Sequence, residues 1–214
     1  MIYVENKRRK IEKVRKQYPN ADILDITSTS STKYAQVLSP FYPHGNIPIP
    51  FSSGYFATCV EGIWQGLKVF ESCGIDVSSF SNDTMHGIKR TVRKYGTLKG
   101  HQKGLNSSEL LNYFEARMQI YIPSYKWVLD NVPYVHDIVL RIADRSKNHD
   151  IVFLDYNTNT EFRDTSSPLS HAGLLKLYIE GNYPNESETY VPLTKEEVIE
   201  RKAIKKKAKS NNKK

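Results

Sequence analysis

The sequence predicts one α+β domain that is predominantly α-helical and contains a few short strands. The chain has 214 residues, 39% of them hydrophobic, which is enough apolar surface for one sizeable core. Apolar residues recur at helical spacing in the longer segments, whereas only two or three short runs have the pattern of a buried strand. We assign residues 1–194 to this domain and 195–214 to a basic tail that we expect to be disordered.

The elements of the first half alternate with loops. Residues 5–17 have the composition of a charged surface helix, and "NADILDIT" after them predicts a short strand. Residues 38–56, "LSPFYPHGNIPIPFSSGYF", contain four prolines and two glycines among aromatic residues. Because no regular element tolerates so many prolines, this segment is predicted to be an ordered loop of the kind that often carries function.

The segment "FATCVEGIWQGLKVFESCG", residues 56–74, predicts an amphipathic helix. Thr58 and Glu61 match a capping box at its start, and Gly74 supplies a stop at its end. Apolar residues at helical spacing share one face of this helix: Val60, Ile63, Leu67 and Phe70.

Three polar residues of the same helix fall on one narrow stripe. Glu61, Gln65 and Lys68 are four and three residues apart, so they return to nearly the same side, beside Trp64. The stripe borders the buried face and can therefore line a cleft. Two structural explanations remain open, since capping alone accounts for Glu61 and the Lys68 side chain can extend past the aromatic edge to solvent.

The second half contains most of the predicted helices. Residues 85–104 indicate a short helix and a basic loop, and 106–131 indicate two helices separated at Pro123. A further helix is predicted over 134–146, followed by a buried strand in "DIVFLDYN". The segment "SPLSHAGLLKLYIEGN" predicts a last helix that closes at Gly181.

Composition excludes several classes of protein. Two cysteines, Cys59 and Cys73, cannot form a disulfide framework or a zinc ribbon, and the six histidines lack metal-ligand spacing. We therefore assign no metal and no cofactor, although His44 and His171 can approach a site. No stretch approaches the ~18 apolar residues of a membrane span, and the N-terminus is charged where a signal peptide is apolar. We expect a cytoplasmic protein that does not bind a membrane.

The net charge of +8 is concentrated at the C-terminus. Residues 195–214 contain nine basic and three acidic residues, so the other 194 residues carry a surplus of only two positive charges. A run such as "KKKAKSNNKK" can bind the phosphates of DNA or RNA non-specifically, and it can equally be a solvated end of the chain. The charge therefore says little about the folded domain.

Two stretches in order resemble a known family. "LSPFYP" at 38–43 is followed by "TCVEGIWQGLKVF" at 58–70, which resembles the NADAR (YbiA-like) family pattern L-S-N-F-Y-P and then S-V-E-H-aromatic-Q-A-x-K-F. The Glu, Gln, Lys and Phe positions agree. Pro40 and Gly62 stand where the family has Asn and His, and the family's Trp-Gly is missing, so the chain resembles a divergent member.

The resemblance implies a single NADAR-like domain and an N-glycosidase. Members of that family break N-glycosidic bonds at ribose C1′ of ADP-ribosyl or related nucleotides, including ADP-ribosylated nucleobases in nucleic acid. Such a reaction develops positive charge at C1′ and expels a base. The candidate catalytic residues are Glu61, which can stabilise that charge or activate water, and Lys68, which can contact phosphate or act as an amine nucleophile.

Further side chains are candidates for binding the substrate. Aromatic residues of the loop and helix can enclose a base, and polar residues after the last predicted strand can contact ribose hydroxyls. The candidates are Phe41, Tyr42, Trp64, Gln65, Asp155 and Asn157. The aromatic residues can equally belong to the core, and Asp155 and Asn157 can equally cap a turn.

Two other functions remain open at this point. The same cleft can hold a nucleotide without turnover, which the residues at positions 40 and 62 favour because they replace polar family residues. Alternatively, the protein associates with DNA or RNA through residues 195–214, in which case binding is sensitive to salt.

Overall fold

Short strands and helices alternate along the chain, which the computed structural model describes over residues 1–185 and 187–211. The strands are β1 (Ile2–Asn6), β2 (Asp22–Asp25), β3 (Ile47–Pro48), β4 (Phe56–Ala57), β5 (Lys68–Phe70), β6 (Leu98–Gln102), β7 (Leu110–Leu111) and β8 (Ile151–Asp155). The helices are α1 (Ile11–Gln17), α2 (Lys33–Gln36), α3 (Val60–Gly66), α4 (Val92–Tyr95), α5 (Tyr113–Ala116), α6 (Ile122–Asn131), α7 (Pro133–Ser146), α8 (His171–Ile179) and α9 (Lys195–Asn211). This mixture agrees with the predicted α+β class.

A parallel sheet of three strands has β8 in the middle, with β1 and β2 on either side. Every residue of β8 is buried, and successive side chains point to opposite faces. Phe153 joins the main core, whereas Val152 and Leu154 pack with Val14 of α1. Because the three strands are parallel, their carboxyl ends meet at one edge of the sheet. Strand β1 occupies residues where the sequence predicts the start of a helix.

Helix α3 is shorter than the sequence predicts. It ends at Gly66, and the chain continues as β5, which pairs antiparallel with β6. The predicted capping box is also wrong, because Cys59 is the N-cap and its Sγ accepts a 3.2 Å hydrogen bond from Gly62 N. Thr58 Oγ1 instead donates to Phe80 O at 2.7 Å. Glu61 therefore does not cap its helix.

The chain does not break at Pro123. A π-helical segment, Arg117–Tyr121, joins α5 to α6, so that the backbone is helical from Tyr113 to Asn131. Proline lacks the N–H that would continue the α-helical ladder, and a π turn accommodates the missing bond. The helix begins at a capping box between Asn112 and Glu115, several residues after the predicted start near residue 106.

The basic segment differs from the expected disordered tail. Residues 195–211 form α9, and 212–214 lie outside the described residues. Val198 of this helix is buried, and Arg201 lies 3.7 Å from a Glu161 carboxylate oxygen. Lys202 Nζ donates to Ser166 Oγ at 3.1 Å. In the described part of the chain, no helix combines the length and apolar character needed to cross a bilayer.

Candidate functional site

A cavity of about 380 Å³ opens at the carboxyl edge of the parallel sheet. Asp155, at the end of β8, and Thr27, just after β2, lie in its wall. Helix α3, the π-helical segment, the start of α8 and the loops around residues 39–41 and 89–91 also contribute to the lining. Open sheets with parallel strands bind ligands beyond the carboxyl ends of those strands, and this volume is typical of small-molecule sites. We call it the sheet-edge cavity.

Seven of the eight candidate residues line this cavity although they come from distant parts of the sequence. They are Phe41, Glu61, Trp64, Gln65, Lys68, Asp155 and Asn157. Tyr42 is not among the lining residues. Its ring packs against the main core and lies 5.0 Å from the His44 ring. Tyr42 is therefore a core aromatic residue, which was the alternative left open by the sequence.

Glu61, Gln65 and Lys68 form one hydrogen-bonded chain. Gln65 Nε2 donates to Glu61 Oε1 at 2.6 Å, and Lys68 Nζ donates to Gln65 Oε1 at 2.9 Å. Glu61 is only 7% exposed, and its Oε2 accepts no hydrogen bond from any described residue. The backbone N–H of Glu61 donates to Pro40 O at 2.8 Å, which ties the aromatic loop to the catalytic candidate.

Lys68 reaches this chain from β5 rather than from the helix. Burial lowers the pKa of its amine, and the positive charges of Arg90 and Lys89 lower it further, while Glu61 opposes the change. A lowered pKa increases the fraction of neutral, nucleophilic amine. The amine also lies 5.9 Å from the Trp64 ring.

Asp155 and His171 form a buried ion pair in the cavity wall. His171 Nδ1 lies 3.1 Å from Asp155 Oδ2, and Nε2 lies 2.9 Å from Ile26 O. Since both ring nitrogens face acceptors, the geometry requires the doubly protonated imidazolium. Burial opposes that charge, but Asp155 and the Ile26 carbonyl outweigh it, so the pKa of His171 is raised.

The Asp155 carboxylate already has hydrogen-bond partners within the protein. Ser170 Oγ donates to Oδ2 at 2.6 Å, in addition to the contact with His171. Burial raises the pKa of Asp155, yet the charge of His171 and these hydrogen bonds lower it to about 2. The expected contact of Asp155 with a ribose hydroxyl therefore has to compete with bonds that are already made. Asn157 lies in the exposed part of the cavity wall.

Positive charge predominates around the cavity. Five lining side chains are basic, namely Lys68, Lys89, Arg90, Arg117 and His171, and two are acidic, Glu61 and Asp155. Within the described chain, neither arginine forms an ion pair with a carboxylate; the Arg117 guanidinium instead donates to the carbonyls of Phe162, Asp164 and Ser167. Arg90 donates to the carbonyls of Gln65, Lys68 and Gly74. The balance of charge favours an anionic ligand.

An aromatic wall forms around Trp64. The Trp64 ring lies 3.9 Å from His101, 5.5 Å from Tyr121 and 5.9 Å from Tyr113, measured between ring centroids. His101 is fully buried and neither of its ring nitrogens has a hydrogen-bond partner in the described structure. Burial and the nearby Lys68 charge lower the pKa of His101 to about 3, so this ring packs against Trp64 as a neutral side chain.

Residues 6–175 match the model of a family that is described as a family of unknown function (DUF6939). The chain belongs to the DUF6939 family. A comparison with curated proteins gives no match. In this DUF6939 chain, the matched span includes every residue that lines the sheet-edge cavity, whereas α9 lies outside it. The cavity is therefore part of the domain that the family model describes.

Three further residues of this DUF6939 chain lie in the cavity wall although the sequence did not indicate them: Tyr113, Arg117 and Tyr121. They are spaced by four along "YFEARMQIY", which puts them near one side of a continuous helix. All three precede Pro123 and so fall within the first of the two helices predicted over 106–131. Lys89 and Thr27 were also missed, and no local pattern distinguishes them from surface residues.

A second depression of the DUF6939 domain, of about 940 Å³, lies between α5–α6 and the segment near Tyr190. None of the candidate site residues lines it, and its charged residues are Glu115, Lys126, Asp130 and Glu188. Within the described residues, no group of three His, Cys, Asp or Glu side chains is arranged to hold a metal ion. The sheet-edge cavity is thus the candidate functional site.

Proposed function

We propose that this protein is an N-glycosidase that hydrolyses the bond between a base nitrogen and ribose C1′ of an ADP-ribosyl or related nucleotide, including ADP-ribosylated nucleobases in nucleic acid. The observation that carries this proposal is the state of Glu61. A buried carboxylate with one oxygen free of hydrogen bonds faces a cavity whose other charges are mostly positive. A carboxylate in this position can stabilise positive charge that develops at C1′.

The surroundings of Glu61 support a nucleotide rather than a neutral sugar. Phosphate groups are attracted by the surplus of basic side chains, and the Trp64 and Phe41 rings offer flat surfaces for a base. The Lys89 amine lies 5.6 Å from the Phe41 ring, which places positive charge beside that surface. The resemblance of 38–70 to the NADAR family points to the same substrates.

The residues take separate roles in this proposal. Glu61 accepts a proton from the attacking water or stabilises the cation at C1′, and Gln65 holds one of its oxygens. Lys68, with its lowered pKa, contacts a phosphate or the opened sugar. Asp155 acts through His171, whose positive charge favours an anionic substrate. Asn157 remains available for ribose hydroxyls.

Glu61→Gln tests the proposal. The amide oxygen of the new side chain can still accept from Gln65, so the fold is retained while the negative charge is lost. We expect base release from ADP-ribosyl compounds and ADP-ribosylated DNA, followed by mass spectrometry, to fall by at least about 10²-fold. The matched control is Glu12→Gln on the exposed face of α1. Full turnover by Glu61→Gln would contradict the mechanism.

A non-catalytic nucleotide-binding module is the second candidate. It is favoured by Gly62 and Pro40, which replace polar residues of the resembled family. In that case ADP-ribose raises the melting temperature of the protein, and no free base accumulates in long incubations with ADP-ribosyl compounds or ADP-ribosylated DNA. Base release by the wild type, lost in Glu61→Gln, decides against this candidate.

Nucleic-acid binding through the basic C-terminal segment is compatible with either candidate. Helix α9 begins beside residues 161–166, and the Arg117 side chain connects that loop to the cavity. Deleting 203–214 keeps Val198 and Arg201 in place while removing most of the basic residues. If the tail binds DNA or RNA, this deletion weakens binding and reduces its salt dependence. Unchanged binding by the truncated chain excludes that role.

A further inference from the structure

Tyr121 owes its position to the π-helical segment. In an α-helix, residues four apart drift by about 40° around the axis, so a row of such residues gradually turns away from a cavity. The wider π turn over Arg117–Tyr121 works against this drift. As a result Tyr113, Arg117 and Tyr121 all line the sheet-edge cavity, although they span two turns of helix. π turns of this kind are frequent at functional sites.

The hydroxyl of Tyr121 differs from those of the other tyrosines in the wall. The Tyr113 hydroxyl accepts from Arg117 Nη2 at 3.2 Å, and the Tyr156 hydroxyl lies 3.0 Å from Thr29 Oγ1. No hydrogen bond joins the Tyr121 hydroxyl to any residue that the structure describes, and its ring is packed edge-on against Trp64 at 5.5 Å. A hydroxyl in a cavity wall that has no partner among the described residues is available to a ligand.

Charges around Tyr121 keep its hydroxyl protonated. Burial raises the pKa of Tyr121 well above its ordinary value, and the negative charges of Glu61 and Asp155 raise it further. The phenol is therefore a hydrogen-bond donor at any working pH. Tyr121, Glu61 and Asp155 all line the sheet-edge cavity, and Glu61 is the residue to which we assign the reaction at C1′.

We propose that Tyr121 donates a hydrogen bond to the departing base nitrogen during cleavage of the N-glycosidic bond. This inference rests on the proposed function. In the reaction, the water oxygen bonds to C1′, the C1′–N bond breaks and its electron pair stays on the nitrogen. Glu61 accepts one proton from the water, and that proton ends on the base. Tyr121 keeps its own proton and stabilises the electron pair as it develops on the nitrogen.

Two ADP-ribosyl probes that differ in the leaving group test this role. In NAD⁺ the nicotinamide nitrogen is already cationic and leaves as a neutral ring, so it needs no donor. In ADP-ribosyl-guanosine, joined through the guanine amine, the departing nitrogen must be stabilised. We expect Tyr121→Phe to lower kcat for the guanosine probe by about 10²-fold and to change kcat for NAD⁺ by less than about 3-fold, with KM nearly constant for both.

Tyr125→Phe is the matched control. Tyr125 lies four residues further along the same helix, and its hydroxyl donates to Leu38 O at 2.7 Å inside the core. We expect this variant to lower the melting temperature without any dependence on the leaving group. Equal losses with both probes in Tyr121→Phe, or no loss with the guanosine probe, would overturn the role of Tyr121 while leaving the proposed function in place. A wild-type protein that cleaves neither probe overturns both.

Discussion

Gln65 lies between Glu61 and Lys68 and hydrogen-bonds to both, with its Nε2 2.6 Å from Glu61 Oε1 and its Oε1 2.9 Å from Lys68 Nζ. The backbone N–H of Arg90 also donates to Gln65 Oε1, at 3.0 Å. Because an amide oxygen only accepts and an amide nitrogen only donates, these two donors leave Nε2 for Glu61. The orientation of the amide is thus determined by its neighbours, and it connects the two catalytic candidates.

Gln65→Met should uncouple this pair. The methionine side chain fills similar space but cannot hydrogen-bond, so Lys68 Nζ and the Arg90 N–H lose a buried acceptor. We expect the free energy of unfolding to fall by about 1–3 kcal/mol. Base release should fall by about 10²-fold because Glu61 loses its fixed position. Urea denaturation and steady-state kinetics measure the two effects.

The exposed Gln17→Met is the matched control for this change. It should alter neither the urea midpoint nor turnover. Wild-type turnover in Gln65→Met would show that the hydrogen-bonded chain has no part in the reaction.

The pKa of Lys68 should respond to Glu61 and Lys89 in opposite directions. Burial and the positive charges of Arg90 and Lys89 lower this pKa, whereas Glu61 raises it. Glu61→Gln should therefore lower the pKa of Lys68 further, and Lys89→Gln should raise it towards its ordinary value. NMR titration of ¹³C-labelled lysines, with Lys68 assigned by substitution, measures both. Shifts of the same sign in the two variants would contradict this arrangement of charges.

Because of the ion pair between Asp155 and His171, the free energy of unfolding should fall at both acidic and alkaline pH. The pKa of Asp155 is lowered to about 2, so its contribution is present above the unfolded value, about 4, and is lost as pH falls through about 2. The pKa of His171 is raised, so its contribution is complete below about 6.5 and is lost as pH rises through the folded value. The pair should stabilise the folded state most between about pH 4 and 6.5.

Free energies of unfolding across pH 2–9 test this assignment. His171→Gln should remove the alkaline loss of stability, and Asp155→Asn should remove on the order of 2 kcal/mol of the acid loss. His149→Gln, an exposed histidine after α7, serves as control and should follow the wild type. An alkaline loss that persists in His171→Gln would assign the effect to another group.

Gly62 should not tolerate a side chain. A Cβ atom there would lie 2.6 Å from the backbone oxygen of Ser79 and 3.3 Å from Cys59 Sγ. Gly62→Ala should lower the free energy of unfolding by about 1–3 kcal/mol, because backbone cannot move aside as a flexible side chain does. A Cβ at Gly74 would meet nothing within 4 Å, so Gly74→Ala should be neutral or stabilising by up to about 1 kcal/mol.

Thermal and urea denaturation of the two glycine variants compare them directly. Equal stability of both variants would mean that the Ser79 backbone can move away from α3 to make room for a side chain.

Much of the local structure was predictable because it depends on spacing. The apolar residues Val60, Ile63, Leu67 and Phe70 are all buried, as their helical spacing indicates, even though the last lies in β5. Strand β8 lies within its predicted range, and helix α7 begins one residue before its own and ends at the predicted residue. These elements have strong periodicity or a compact apolar run, which are properties of the chain itself.

Other features were missed because distant residues cause them. Helix α3 ends early because Lys68 pairs with His101, thirty-three positions away, and no local signal marks that pairing. Strand β1 pairs in parallel with β8, whose residues lie 149 positions further along the chain. Pro123 looks like a break, but the π turn before it allows the helix to continue.

The sequence by itself determined which residue types were available: a carboxylate, an amide and an amine within eight residues, aromatic side chains upstream, and an aspartate after a buried strand. Tertiary structure decided their chemical states. Parallel pairing brought Asp155 to the edge of the sheet, helix α8 placed His171 against it, and the π turn directed Tyr121 to the same cavity. Burial and nearby charge set pKa values, and both depend on contacts between segments that are remote in the chain.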